Sequence, residues 1–257
     1  MLIDTHCHLD FEDFAQDLDD VIQRALDANV KRMITISTHV RKLDKLLAIT
    51  QAYDQVFCSV GTHPNNAQEE QNIKAESLIK LSKNPKIVAF GEAGLDYHYD
   101  YSSPKEQKKV FQEHIIASRE TQLPLIIHSR NADEDMKKIL REQIKEGAFP
   151  FVLHCYSSGM QLARAGLEMG GYISFSGILT FKNALVIREI AKIVPHKHLL
   201  VETDAPFLAP VPHRGKTNEP SFVRYTAAIL AETIGLSIEE TAQITTQNAF
   251  RLFGKMK

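Results

Sequence analysis

Six side chains of the kinds that bind metal ions stand where predicted β-strands end, and they are spread over most of the chain. They are four histidines and two acids: His6, His8, Glu92, His128, His154 and Asp204. Imidazole nitrogens and carboxylate oxygens in this combination hold divalent cations. Because no single loop contains the set, only a fold that gathers strand ends at one place can assemble it.

The first pair is an H-x-H motif, His6 and His8, with Cys7 between them. Side chains two residues apart on an extended segment point to the same face, so both imidazoles can reach one metal while Cys7 points away. An isolated pair fits two histidines in a turn equally well. The metal interpretation therefore depends on the other four residues.

Six ligands exceed what one tetrahedral cation needs, and a carboxylate on a middle strand can bridge two metals about 3.5 to 4 Å apart. We expect Glu92 to be this bridge. Such a site supplies hydroxide near neutral pH, and Asp204 can take the proton of the attacking water as general base, which indicates a hydrolase. The other ligands divide between two metals, with His6, His8 and Asp204 on the first and His128 and His154 on the second.

Eight short apolar runs rich in β-branched residues alternate with segments of helical periodicity. This alternation predicts an α/β protein, and eight strand–helix units in about 250 residues predict a (β/α)₈ TIM barrel. A doubly wound open sheet is the alternative, but no G-x-G-x-x-G motif follows the first strand. The runs cover residues 2–3, 32–36, 56–60, 87–90, 124–127, 151–153, 172–175 and 199–201.

The barrel makes a prediction that the open sheet does not, because its functional residues lie at the C-terminal ends of the strands. All six candidate ligands follow such runs, and His63 follows the third run in the same way. Histidines that only bond to a backbone carbonyl would have no reason to choose one end of every strand. The placement therefore favours a functional site.

Two helix starts carry capping signals. Ser103 can cap a helix with Pro104 in its first position and Glu106 completing a capping box. Ser237 and Glu240 repeat the box before an extra C-terminal helix beyond the last strand. No repeat, low-complexity stretch or linker interrupts the chain, so we expect one hydrolase domain over residues 1–257.

Charge and cysteine content limit the classes of function. The formal net charge is −2 and no run of five like charges occurs, so the chain has no basic stripe for gripping long nucleic acid. Three cysteines without a C-x-x-C pair suit a reducing compartment. Residues 1–4 lead into the first predicted strand with no basic n-region or apolar h-region, and no apolar stretch reaches about 18 residues, so we expect no signal peptide. We expect a cytoplasmic protein with no membrane segment.

Seven segments in order along the chain are DTHCHLD (4–10), GTHP (61–64), GEAGLDY (91–97), HSR (128–130), HCYS (154–157), ETDAP (202–206) and PHRGKTNEP (212–220). They resemble the TatD family of metal-dependent deoxyribonucleases, within the amidohydrolase superfamily, over nearly the whole chain. Two loops depart from the family pattern. The family's Phe-Ser-Gly after the HCYS histidine is replaced by Tyr156-Ser157-Ser158-Gly159, and Asn65-Asn66 stand where a histidine or aspartate is often found, which bears on substrate preference more than on catalysis.

The resemblance implies a barrel hydrolase that cleaves DNA phosphodiesters, often as a 3′ to 5′ exonuclease on single strands, with two divalent ions. Mg²⁺ or Mn²⁺ is expected, and Zn²⁺ also suits the donors. By matching position the six candidates are the metal ligands, with Glu92 where related amidohydrolases often carry a modified lysine. We expect DNA, single-stranded or with frayed ends, as the substrate partner, and no obligate protein partner.

Four further residues are predicted to contact substrate. His63 resembles a family residue near the substrate phosphate, although it can equally cap its own turn. Arg130 can clamp a phosphate or pair with an acid near Glu92. Arg214 and Asn218 lie in the loop after the last strand, which is either an anion site or a solvated charge cluster.

Several other polar residues have supporting roles in this reading. Glu202 would orient a ligating histidine from deeper in the barrel. Asp96 and Tyr97 either shape the floor of the site or end the fourth strand's loop. The remaining histidines are assigned to packing or surface positions: His39, His98, His114, His196, His198 and His213.

Two other functions stay open at the level of sequence. The same metal site can hydrolyse an ester or amide of a small metabolite or of an aminoacyl-tRNA, because a fold does not determine the substrate. A non-catalytic barrel with structural metals is the second alternative. Structural sites are usually closed by protein ligands, whereas the divided ligand set predicted here leaves positions for water.

Overall fold

Eight parallel β-strands form the centre of the protein in the computed structural model, which describes residues 1–256. Each strand pairs with the next strand along the chain. The strands are β1 (Leu2–Cys7), β2 (Val30–Thr35), β3 (Val56–Val60), β4 (Ile87–Asp96), β5 (Leu125–Arg130), β6 (Phe151–Leu153), β7 (Tyr172–Phe175) and β8 (Leu199–Val201).

The sheet closes on itself between β1 and the segment that follows β8. Cys7 pairs with Ala205 in a parallel bridge. The Asp204 N–H donates to the His6 carbonyl at 2.9 Å. The predicted (β/α)₈ barrel is therefore confirmed, and the residues after the first and last strands lie side by side.

Helices connect the strands and surround the barrel. No α-helix among residues 1–256 combines the length and the apolar character needed to cross a bilayer. The helices are α1 (Leu18–Asp27), α2 (Leu43–Ala52), α3 (Ala75–Leu81), α4 (Pro104–Thr121), α5 (Asp133–Glu146), α6 (Met160–Glu168), α7 (Leu185–Ile193), α8 (Val223–Ile234) and α9 (Ile238–Leu252).

The capping signals read from the sequence lie at real helix starts. At α9 the Ser237 hydroxyl accepts the Glu240 N–H at 3.1 Å, and the Glu240 carboxylate accepts the Ser237 N–H at 2.9 Å. At α4 Ser103 accepts the Glu106 N–H at 3.3 Å. There the Glu106 carboxylate bonds to the serine hydroxyl and not to its backbone, so only half of the predicted box forms.

The extra helix α9 closes one end of the barrel. Its Leu252 and the adjacent Phe253 pack with strand residues such as Ile3 and Val88 in the apolar interior. Its Asn248 donates to the carbonyl of Leu199, the first residue of β8, at 2.9 Å. Because these contacts are at the N-terminal ends of the strands, the opposite end is left open for a site.

Three strands, β1, β4 and β5, continue past the C-terminal ends of the apolar runs that predict them. β4 continues to Asp96, where it pairs with Arg130 at the end of β5. β1 likewise continues through His6. The apolar run marks only part of each strand, whereas backbone pairing and burial in β1 and β4 continue into segments that contain polar residues.

Candidate metal centre

All six predicted ligands meet at the C-terminal end of the barrel, around an open cavity of about 1810 Å³. His6 is fully buried beneath the floor of this cavity. The other five line its wall: His8, Glu92, His128, His154 and Asp204.

One group of donor atoms surrounds the second oxygen of Glu92. Glu92 Oε2 lies 3.4 Å from His6 Nε2. Asp204 Oδ1 lies 3.4 Å from the same nitrogen and 3.6 Å from His8 Nε2. The two Nε2 atoms are 3.3 Å apart. Four donors from β1, β4 and the β8 loop thus converge on one point.

A second group surrounds the other oxygen of the same carboxylate. Glu92 Oε1 lies 2.7 Å from His128 Nδ1 and 2.6 Å from His154 Nε2. Those two nitrogens are 3.4 Å apart. Each oxygen of Glu92 therefore faces its own set of nitrogen donors, as a carboxylate that bridges two cations requires.

The spacing of the first group fits a cation better than direct hydrogen bonds. Its separations of 3.3 to 3.6 Å exceed the usual N–H···O range of about 2.7 to 3.2 Å. Two ligand atoms, each about 2.1 Å from one cation, lie about 3.0 to 3.4 Å apart in octahedral or tetrahedral geometry. Three overlapping triads have ligand atoms within 4.8 Å of one another: His6–His8–Glu92, His63–Glu92–His128 and His6–His154–Glu202.

Carboxylates behind two of the histidines orient their rings. His154 Nδ1 contacts Glu202 Oε1 at 3.2 Å, and His128 Nε2 contacts Asp96 Oδ2 at 3.1 Å. When the carboxylate accepts the N–H of one ring nitrogen, the other nitrogen keeps a free lone pair for a metal. Glu202 thus lies where the sequence predicts a supporting partner, and Asp96 has the same geometry.

Local backbone geometry positions these side chains at the strand ends. Asp204 has φ of 59°, and Cys155, which follows His154, has φ of 43°. Non-glycine residues rarely adopt this left-handed region, and its occurrence at a site is a sign of functional constraint. Before Glu92, Gly91 has φ of 113°, and a Cβ there would meet the Ile126 carbonyl oxygen at 2.6 Å.

The buried charges depend on one another. Burial alone would raise the pKa of Glu92, but the neighbouring histidines outweigh burial and hold the pKa well below its usual range. Burial opposes the charged form of His154, yet Glu92 and Glu202 raise its pKa well above the usual value. Burial, assisted by the charge of His154, lowers the pKa of His6. A divalent cation would neutralise the same carboxylates.

His63 caps its own turn, and its other ring nitrogen faces the site. Its Nδ1 accepts the Asn65 N–H at 3.1 Å and so caps the turn after β3. Its Nε2 faces the site, 3.5 Å from Glu92 Oε1. Burial lowers the pKa of His63 to about 3, so the ring is neutral at pH 7 and its proton resides on Nε2.

Arg130 reaches the cavity but pairs with no acid among the described residues. Its guanidinium carbon lies 5.0 Å from the centre of the Tyr99 ring, a cation–π contact. The side chain is exposed at the cavity rim. Of the two roles considered for it, pairing near Glu92 is not realised.

The structure does not bring Arg214 or Asn218 to the cavity wall. Asn218 is fully buried, and its amide donates to the carbonyls of Thr203 and Phe207 at 2.9 and 2.6 Å. Arg214 stacks on Phe181, with 3.7 Å from the guanidinium carbon to the ring centre. Asn218 holds the β8 loop in shape and Arg214 covers an aromatic surface, and the substrate contacts predicted for both stay predictions.

Sequence reasoning missed Asp4, which connects the first strand, β1, to the segment that follows the last strand, β8. Its carboxylate accepts the Thr203 N–H at 2.9 Å, next to the ligand Asp204. Burial raises the pKa of Asp4 to about 8. The available signal was spacing, because Asp4 stands two residues before His6 and hence on the same face of β1.

A (β/α)₈ barrel whose open end gathers histidine and carboxylate donors is the architecture of a metal-dependent hydrolase. The chain belongs to the TatD family, since residues 3–254 match the family described as TatD related DNase. Its resemblance to that family is thereby confirmed.

Relatives share nearly the whole chain. YabD of Bacillus subtilis, named a metal-dependent hydrolase, is 42% identical over 253 residues, 98% of this chain and 99% of that one. The 3′-5′ ssDNA/RNA exonuclease TatD of Salmonella typhimurium is 31% identical over 259 residues, 98% of each. The crystal structure of YjjV, a TatD homologue from Escherichia coli, superposes with a TM-score of 0.91 at 30% identity, covering 98% of each chain.

Proposed function

We propose that this protein removes nucleotides from the ends of single-stranded DNA, in the 3′ to 5′ direction, with two divalent cations such as Mg²⁺ or Mn²⁺. The observation that carries the proposal is the carboxylate of Glu92, whose two oxygens face separate groups of donors. Membership of the TatD family and the exonuclease at 31% identity support the choice of substrate.

The ligand assignment in this proposal follows from the two donor groups. Bound divalent cations lower the pKa of a coordinated water and withdraw charge from a phosphoryl oxygen. Glu92 would bind both ions. The first ion would also bind His6, His8 and Asp204, and the second would bind His128 and His154.

Asp204 would act as general base. Its side chain is 16% exposed, against 3% for Glu92, so solvent reaches it more readily. Burial alone would raise the pKa of Asp204, but His8 and His6 outweigh it and lower the pKa. The carboxylate is therefore ionised at neutral pH, and Oδ2, which the histidines leave free, can accept the proton of the attacking water.

His63 would supply an uncharged hydrogen-bond donor to the substrate. Because Asn65 occupies Nδ1, the Nε2–H is available to a phosphoryl oxygen of the substrate. A neutral ring donates without the cost of burying another charge. We expect His63→Ala to lower turnover without lowering metal content.

The proposal is tested with metal-stripped protein and single-stranded DNA labelled at one end or the other. Added Mg²⁺ or Mn²⁺ should produce a ladder that shortens from the 3′ end. Glu92→Gln, run in parallel, should bind less metal and give no ladder. His196→Gln is the matched control, because this exposed histidine lies just before β8, at the closed end of the barrel.

Three outcomes would count against the proposal. Cleavage that persists above about a tenth of wild type in Glu92→Gln would remove the bridging role. Shortening from the 5′ end would reverse the direction. Absence of DNA cleavage with either metal, together with turnover of carboxylic esters or an aminoacyl-tRNA, would establish a hydrolase of a different bond.

A further inference from the structure

The cavity extends well beyond the proposed ligands, and its rim carries exposed aromatic side chains. Tyr101 is 66% exposed and Tyr99 is 40% exposed, and both line the cavity. Their rings stack with centres 5.4 Å apart and planes 27° apart. Arg130 lies over the Tyr99 ring. We call these three residues the tyrosine–arginine stack.

The stack is held in a defined position relative to the metal ligands. The buried Asp96 carboxylate contacts His128 through Oδ2 and accepts the backbone N–H groups of His98 and Tyr99 through Oδ1, at 2.9 and 3.4 Å. Arg130 is two residues beyond His128 on β5, about 7 Å along the strand. One carboxylate therefore couples a proposed ligand to the turn that carries Tyr99.

Apart from the edge-on contact of Tyr99 with the His98 ring at 4.6 Å, few contacts outside the stack hold these side chains. Neither tyrosine hydroxyl forms a hydrogen bond with another residue of the range 1–256, and the Arg130 guanidinium has no ion-pair partner there. Exposed apolar surface next to a catalytic cavity is a common mark of a binding site. Planar aromatic rings beside a guanidinium offer flat faces on which other planar groups can stack.

The charges around the cavity indicate which part of a polymeric substrate is recognised. Lys42 and Arg130 are the only lysine or arginine side chains among the described residues that line it, against seven carboxylates. A phosphate backbone running over this rim would find little positive charge outside the metal site. Affinity for a strand must therefore come mainly from its bases, for which stacking on aromatic rings is the sequence-tolerant mode.

We propose that the tyrosine–arginine stack binds unpaired nucleobases of the substrate strand next to the bond being cleaved. The inference rests on the proposed nuclease function and adds the feature that selects single strands, because bases in a duplex have no free face to stack. A cavity of about 1810 Å³ is larger than the roughly 300 to 1,000 Å³ of small-molecule sites, which leaves room for the stacked bases.

The test compares full-length, Mn²⁺-loaded wild type with the double variant Tyr99→Leu/Tyr101→Leu. The KM for a single-stranded oligothymidylate should rise about 5- to 150-fold, the range measured for loss of a stacked base. Turnover of methyl para-nitrophenyl phosphate, which carries no nucleobase, should change far less than the KM for the oligonucleotide. Tyr99→Phe/Tyr101→Phe should restore the KM, because it keeps both rings.

A matched control is Tyr225→Leu. This tyrosine also lies beside an arginine, 4.8 Å from the Arg224 guanidinium carbon, but outside the cavity. Its replacement should leave the KM for the oligonucleotide as in wild type. An equal rise in Tyr225→Leu would attribute the effect to general destabilisation and overturn the proposal.

Substrates with an abasic site at successive positions provide the reciprocal change. With wild-type protein, an abasic site at one of these positions should weaken binding by the same factor as the leucine substitutions do with the intact strand. The abasic site and the leucine substitutions combined should weaken binding no further. Independent, additive effects would overturn stacking at these tyrosines.

Binding is measured separately from cleavage, by fluorescence anisotropy with phosphorothioate-linked oligothymidylate. Strand binding that needs the tyrosines, without cleavage of the ordinary oligonucleotide, would uphold the stack and refute the proposed nuclease function. Cleavage of the oligonucleotide with a KM that is unchanged in the leucine variant would uphold the nuclease function and refute the stack.

Discussion

His114 is a buried histidine whose protonation should weaken the fold in a measurable way. It lies in α4, fully buried, and its Nε2 accepts the N–H of Thr62, the residue before His63, at 3.1 Å. Its Nδ1–H donates to the Val110 carbonyl at 2.8 Å. Because both nitrogens are used by a neutral ring, a second proton would remove the acceptor for Thr62. Burial lowers the pKa of His114 to about 4.

The size of the effect follows from the difference between the folded and unfolded chains. Unfolded His114 binds a proton below its usual pKa of about 6.5, whereas the folded protein resists protonation until about pH 4. Its contribution to stability is therefore complete above about pH 6.5 and is lost as the pH falls towards 4. At about pH 5 the loss amounts to about 2 kcal/mol.

Urea unfolding at about pH 7.5 and about pH 5 measures this loss in wild type and in His114→Gln. Both proteins are kept metal-free with a chelator, so that the ligand histidines titrate equally in each. Glutamine keeps a carbonyl oxygen for the Thr62 N–H but cannot be protonated. Wild type should lose about 2 kcal/mol more than the variant between the two pH values. Equal losses would show that His114 does not resist protonation in the folded state.

Glu202→Gln should lower metal affinity about 10- to 100-fold in a chelator competition, because it removes the charge behind His154, and unchanged affinity would exclude that support. Gly91→Ala places a Cβ 2.6 Å from the Ile126 carbonyl oxygen. The variant should therefore lose metal binding and the native near-ultraviolet circular dichroism spectrum, and a metal content equal to that of wild type would contradict the steric reasoning. Asn218→Ala should destabilise the fold by about 1 to 3 kcal/mol in urea with the KM for DNA unchanged, and a raised KM at unaltered stability would restore the substrate contact. Acidification below about pH 6.5 should release metal as the ligand histidines take up protons, so metal content that is constant down to about pH 4.5 would exclude histidine coordination.

The positions of the strands and of the proposed ligands could be predicted because both follow from short-range patterns. A buried parallel strand is a run of apolar residues, and the barrel places whatever follows such a run at the open end. His6, Glu92 and His154 each follow a run, so the rule brings them together without knowledge of the loops. The length of β4 escaped prediction, because Gly91, Glu92 and Gly94 interrupt its apolar pattern while its backbone stays paired with β5.

Residues in the loops could not be placed in this way. In the loop after β8, Arg214 is one position before Gly215 and Asn218 is three positions after it. The path of that loop decides which of the two side chains turns inward. Asp4 was missed because its partner Thr203 is 199 residues away in sequence. The contact of Arg130 with Tyr99 could not be predicted, because it depends on a loop conformation that no local pattern specifies.

The central claim is that one carboxylate, Glu92, holds two divalent cations between two groups of histidines. Electron paramagnetic resonance of the protein loaded with Mn²⁺ tests it directly, because two Mn²⁺ ions that share a carboxylate are magnetically coupled. We expect two Mn²⁺ per chain with a coupled spectrum that disappears in Glu92→Gln. A single bound ion, or two ions with uncoupled spectra in the wild-type protein, would contradict the claim.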